Sequence, residues 1–116
     1  MLLIEYPKCG TCQKAVRWLV EKGFSFDRRH IKEQNPSAEE LKRWHRQSGL
    51  PLKRFFNTSG LLYKELGLKD KLPGMSEEEQ YALLASDGML VKRPILIHGV
   101  QVLVGFREKE WEELSR

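Results

Sequence analysis

The sequence has little that would staple, anchor or lead a chain elsewhere. It holds two cysteines in 116 residues, too few for the disulfide framework of a small secreted domain. Its longest purely apolar stretch is Tyr81-Ala82-Leu83-Leu84-Ala85, whereas a membrane span needs about 20 such residues, so a membrane protein is not expected. The amino terminus, MLLIEYPKCG, meets Glu5 early and has no basic segment ahead of an apolar one; it does not read as a secretory signal, and a cytoplasmic protein is expected. His30, His45 and His98 lack the short spacing that would join two cysteines in a zinc site, so no metal is expected. Repeats and low-complexity tracts are absent. What remains is ordinary globular composition, 41% hydrophobic and 31% charged, enough for a single domain over residues 1–116.

Charge is nearly balanced, with 20 Lys and Arg against 16 Asp and Glu, but it is unevenly placed. Residues 28–54 carry eight cations and three carboxylates, while residues 55–116 are net acidic. No nucleic-acid reading motif accompanies the basic stretch, so direct nucleic-acid binding is not expected. The stretch reads first as a solvated helix face, and second as a surface for an acidic partner or anionic substrate.

Residues 2–6 form an apolar run closed by Pro7, as a buried first strand would be. Cys12, Ala15, Val16, Leu19 and Val20 then fall on one helical stripe that Gly23 ends. Phe24 to Ile31 is predicted as a second strand. Helices follow: Ser37 with Glu40 and Ser76 with Glu79 are capping boxes, Gly49 and Gly67 are stops, and Leu52, Phe55 and Phe56 make a short helical turn. Near residue 94 the apolar period changes to two. Pro94–Ile97 and Val100–Val104 are predicted as strands joined by His98-Gly99, before a closing helix with Trp111 and Leu114 on one face. The order β-α-β, helices, β-β-α implies an α/β fold, a small mixed sheet with a helical insertion at about 37–87. Trp18, Trp44 and Trp111 read as packing residues.

Cys9-Gly10-Thr11-Cys12 is the most informative feature. A structural zinc site and two inert thiols are alternatives, but the placement favours a thiol–disulfide centre. A cysteine at a helix entrance meets unpaired backbone N–H groups and the positive end of the helix dipole, and Lys8 adds a neighbouring cation, so the Cys9 thiol should ionise readily. Cys9 is then the candidate nucleophile and Cys12, on the apolar stripe, the resolving thiol. Gly10 offers close approach to a substrate, and the N–H groups of Gly10, Thr11 and Cys12 a cradle for an oxyanion.

The stretch Tyr6-Pro7-Lys8-Cys9-Gly10-Thr11-Cys12-Gln13-Lys14-Ala15, with Lys92-Arg93-Pro94-Ile95-Leu96 and Leu103-Val104-Gly105-Phe106, resembles the arsenate reductase (ArsC-like) family of the thioredoxin fold, in particular its Spx and MgsR branch. The resemblance covers nearly the whole chain. It implies a thioredoxin-like (glutaredoxin-like) sheet, a cis peptide at Arg93-Pro94, and an Arg93 that faces the active thiol and binds an anionic group, with Pro94 shaping the groove. It further implies a thiol–disulfide oxidoreductase, monomeric and without a resident cofactor, acting on a small thiol or protein disulfide with glutathione or thioredoxin as external reductant. The family's arsenate reductases hold their oxyanion with three arginines. Here only Arg93 matches, with Asn57 and Gly105 at the other two positions and Arg54 and Arg107 nearby, so weak arsenate binding is expected. The regulators of the family imply a different role, a redox switch that binds the RNA polymerase α subunit through the basic 28–54 region or the helical middle.

Overall fold

The computed structural model describes residues 1–115. Leu2–Glu5 (β1) lies between two partners: parallel to Asp27–His30 (β2), and antiparallel to Ile95–His98 (β3), which pairs in turn with Gln101–Val104 (β4). The sheet order is β2-β1-β3-β4. Such a central strand must be apolar on both faces, which is why β1 reads as a continuous run. Leu3 and Leu96 point to one face, where they meet Ala15 and Leu19 of Gly10–Glu21 (α1) and Trp111 of Glu108–Trp111 (α6). Ile4 and Ile95 point to the other and meet the helical insertion. This is the thioredoxin-like sheet that the resemblance implies, and the Arg93-Pro94 peptide is cis.

The insertion comprises Ala38–Ser48 (α2), a 3-10 turn at Leu52–Phe55, Leu61–Glu65 (α3), Leu68–Lys71 (α4), a second 3-10 turn at Leu72–Gly74, Glu77–Ser86 (α5) and a third turn at Gly88–Leu90. Both capping boxes form: Ser37 Oγ accepts from the Glu40 amide at 3.1 Å, and Ser76 Oγ from the Glu79 amide at 3.1 Å. Trp18, Trp44 and Trp111 are buried as expected.

Several boundaries differ from the sequence reading. Phe24 does not begin a strand, because its amide closes the end of α1 on the Leu19 carbonyl at 3.0 Å; pairing starts only at Asp27. Val20 is 63% exposed, since Trp18 takes the inward place, its ring against Trp111 and Phe24. Phe56 leaves the helical turn for a β-bridge with Val91. The hairpin turn is Gly99-Val100, with His98 still paired to Gln101. The insertion extends to Leu90 rather than ending near 87.

One ion pair ties β2 to α2. Arg29 donates to both Glu40 oxygens, at 2.6 and 2.9 Å, and Glu40 also accepts from the Ser37 amide at 3.0 Å. The Arg29 guanidinium foremost, with the Ser37 amide, outweighs burial and holds the Glu40 carboxyl down to about 2 from its ordinary 4.5. A carboxylate with a lowered folded-state pKa stabilises the fold fully above its unfolded value, and that contribution disappears as pH falls through the folded value. Thermal unfolding against pH should therefore show a loss of up to about 3 kcal/mol between pH 4.5 and 2 that Glu40→Gln flattens.

Candidate active site

β1 ends at Glu5, and the chain turns through Tyr6-Pro7-Lys8 so that the Cys9 amide donates to the Tyr6 carbonyl at 2.9 Å. This turn makes Cys9 the N-cap of α1, in extended conformation, and its sulfur accepts the Cys12 amide at 3.4 Å. A thiolate in the place of a capping oxygen meets both an unpaired donor and the positive end of the helix. Cys12, one turn on, is fully buried. Both thiols are free.

The two sulfurs sit in opposite electrostatic settings. Burial works against ionisation of Cys9, but hydrogen bonds from Cys12 and the nearby Arg93 guanidinium outweigh it, and its thiol titrates below the ordinary value. For Cys12, burial foremost, then the hydrogen bond and charge of Cys9 and the Glu5 carboxylate, push the thiol up to about 12, against a favourable Tyr6 main-chain hydrogen bond. Cys9 is thus the ionisable member and Cys12 the protonated one.

Arg93 reaches this point from the opposite end of the sequence. Its guanidinium lies over the Tyr6 ring, 5.3 Å from the centroid, and Nε and Nη1 are buried without a hydrogen-bond partner. Tyr6 in turn packs edge-on against His30 at 5.5 Å. Pro94 is buried at the start of β3. Arg93→Gln is expected to shift the Cys9 titration midpoint upward, as measured by alkylation rate against pH; an unchanged midpoint would mean that the guanidinium does not act on the sulfur.

The structure brings Cys9, Cys12 and Arg93 together, with Gly10 and Thr11 exposed on the rim. The space above Gly10 is open, with no atom within 4 Å of where a Cβ would stand. Two expectations need correction. Lys8 is exposed, and the cation that acts on Cys9 is Arg93. The Cys12 N–H is already given to Cys9, so it is not free for the oxyanion cradle expected of the Gly10, Thr11 and Cys12 amides. Sequence reasoning also missed two groups. Glu5, 4% exposed and 3.4 Å from Arg28, is the buried carboxylate behind Cys12, and its signal was a charge ending an otherwise apolar strand. Tyr6, which the sequence shows only as a member of the motif, is the platform under Arg93. Among the described residues no three His, Cys, Asp or Glu side chains gather in a way that could hold a metal ion. Among the described residues no helix is long and apolar enough to cross a membrane.

The family model for ArsC matches residues 4–114. The chain belongs to the ArsC family. Among its relatives, the uncharacterized protein YusI of Bacillus subtilis is 60% identical over 108 residues, 93% of this chain and 92% of that protein. The regulatory protein MgsR of the same organism is 29% identical over 96% of this chain and 86% of its own. The crystal structure of an ArsC-family-related protein from Bacteroides fragilis superposes with a TM-score of 0.95 at 56% identity, covering 98% of this chain and 96% of that one. A possible arsenate reductase from Streptococcus mutans does so with a TM-score of 0.87 at 44% identity, covering 96% of each. The ArsC fold therefore spans the sheet, the insertion and the cysteine turn together.

Proposed function

We propose that this ArsC-family protein is a thiol–disulfide oxidoreductase in which Cys9 attacks and Cys12 resolves. The observation that carries the reading is the contrast between the two thiols: a half-exposed sulfur capping α1 beside Arg93, and a fully buried one a turn below it. The Cys9 thiolate attacks one sulfur of a substrate disulfide. The substrate S–S bond breaks, a mixed disulfide with Cys9 forms, and the departing thiolate takes a proton from solvent. The Cys9 charge is now gone, and with it one of the influences that hold Cys12 protonated. Cys12 loses its proton and attacks the Cys9 sulfur, the second substrate thiol leaves, and a Cys9–Cys12 disulfide remains. The substrate has gained two electrons, which an external dithiol, or two molecules of glutathione, must return.

Arg93 contributes twice. It favours the thiolate, and its charge beside the Cys9 sulfur attracts an anionic group on the substrate. In this reading Pro94 shapes the groove, Gly10 leaves space open beside Cys9, and the exposed Thr11 and Lys8 meet the substrate. Arsenate is a poor fit: Asn57 donates to the Met89 carbonyl at 3.5 Å and Gly105 has no side chain, so a three-arginine clamp is lacking.

A regulator that binds the RNA polymerase α subunit is the second reading, favoured by the similarity to MgsR along nearly the whole chain. One paired experiment separates the two. Turnover of a model disulfide and of arsenate is measured with glutathione and with thioredoxin, beside retention of RNA polymerase by the oxidised and the reduced protein. Disulfide turnover without polymerase retention supports the oxidoreductase. Redox-dependent retention without turnover overturns it in favour of the regulator.

A further inference from the structure

A second, basic cleft adjoins the cysteine turn on the Thr11 side. Its volume is about 440 Å³, and four separate parts of the chain line it: Thr11 of α1, the 51–58 stretch, Lys92 ahead of β3, and residues 104–107 from the end of β4 toward α6. Lys53, Arg54, Lys92 and Arg107 stand around it, and none of the described residues that line it is acidic. The floor is apolar, built from Phe56, Val104 and Phe106.

The cations are placed rather than scattered. Gly105, at φ +76, is buried, and a Cβ there would stand 3.3 Å from Lys92 Cε. The missing side chain thus makes room for the Lys92 stem to lie across the floor. Arg54 Nη2 donates to the Val104 carbonyl at 3.5 Å, which sets its guanidinium against the wall. Arg107 is 3.8 Å from Glu110, an exposed pair that binds little in water. Four like charges around one cleft repel each other, and an anionic ligand removes that cost.

The chemistry of the cleft selects the kind of anion. Its donors are side chains spread along an apolar floor, not a nest of backbone N–H groups that would wrap a phosphate. Its volume lies in the range of small-ligand sites, enough for two or three residues of extended chain. Thr11 lies between the two cysteines, so whatever occupies the cleft adjoins the disulfide under attack. We infer that this cleft binds the acidic flank of a polypeptide substrate, so that disulfides with Asp or Glu beside their cysteine are preferred. The inference rests on the oxidoreductase reading for its consequence in turnover, though not for binding.

The test has two arms. In the first, the full chain is titrated with a short Asp- and Glu-bearing peptide whose cysteine is replaced by Ser, and with its Asn and Gln counterpart, while amide resonances are followed. The acidic peptide should shift Thr11, Gly105 and Phe106 and weaken with salt; the neutral one should not. Equal shifts from both peptides would overturn the inference, as would displacement of the acidic peptide by glutathione disulfide at matched concentration, which would make this a small-thiol pocket. In the second arm, kcat/KM is compared for the same peptides as disulfides. At low ionic strength the acidic one should be favoured about tenfold. That ratio should approach one in Arg54→Ser/Arg107→Ser and persist in Arg17→Ser/Arg43→Ser, which removes two exposed cations elsewhere. Turnover with no charge preference sinks the cleft alone. Acidic-peptide binding without any turnover supports the cleft and sinks the oxidoreductase reading.

Discussion

Cys9→Ser is expected to abolish disulfide exchange, by at least about 10³-fold, while leaving the fold intact. Serine is among the best N-cap residues, and its hydroxyl takes over from the Cys9 sulfur as acceptor for the Cys12 amide. The loss would therefore be one of nucleophile and not of helix. Cys12→Ser should behave differently. The Cys9 sulfur keeps its cap geometry and Arg93, so the first attack proceeds, but no thiol lies beneath to release the product. Incubation with glutathione disulfide should yield one stable glutathione adduct on Cys9 by intact mass, absent in Cys9→Ser and transient in the parent protein. The buried hydroxyl at position 12 keeps the Tyr6 main-chain partner, and unchanged thermal unfolding of this variant confirms that the trap is chemical. An adduct on position 12 in Cys9→Ser, or none at all in Cys12→Ser, would reverse or remove the assignment of attacking and resolving thiols.

The local half of this site was legible in the sequence because its causes are local. A helix entrance, two cysteines a turn apart and an apolar stripe fix which thiol is outermost. Likewise Ser37 with Glu40, and Ser76 with Glu79, announce helix starts through bonds that span three residues. What could not be read locally is what the sheet brings together. Arg93 meets Cys9 only because β3 lies beside β1, with Ile95 opposite Ile4; family resemblance, not periodicity, supplied that expectation. The cluster of Arg54, Lys92 and Arg107 depends on the insertion folding back over β4, and only the nearness of Arg54 and Arg107 to the missing arginines hinted at it. The misplaced strand start at Phe24 has a comparable origin, since two phenylalanines in alternation look extended until the end of α1 claims the first amide.

Gly88→Ala is the substitution expected to cost the fold most for one added methyl group, about 3 kcal/mol or more. Gly88 is buried at the first position of the 88–90 turn, and a Cβ there would overlap the Ile31 carbonyl and stand 2.6 Å from Asn35 Oδ1. Backbone cannot move aside as a side-chain tip can. Ile31 is itself pinned, its amide donating to the Glu5 carbonyl at 2.9 Å, and Asn35 holds the Ala85 carbonyl at 2.7 Å. The added methyl would therefore drive the 88–92 segment away from the end of β2. That segment is fastened to residues 55–57 by the bonds from Asn57 N–H to the Leu90 carbonyl, 2.7 Å, and from Lys92 N–H to the Phe55 carbonyl, 2.8 Å. Arg93 is the next residue along. A fall in Tm of roughly 10 °C should thus come with a second effect that simple destabilisation would not produce, an upward shift of the Cys9 titration midpoint in the folded protein as Arg93 moves from the sulfur. Gly74→Ala, where nothing lies within 4 Å of the added atom, should change neither. A midpoint that stays in place while Tm falls would show that Arg93 is held by Tyr6 and Pro94 alone, independent of the turn that precedes it.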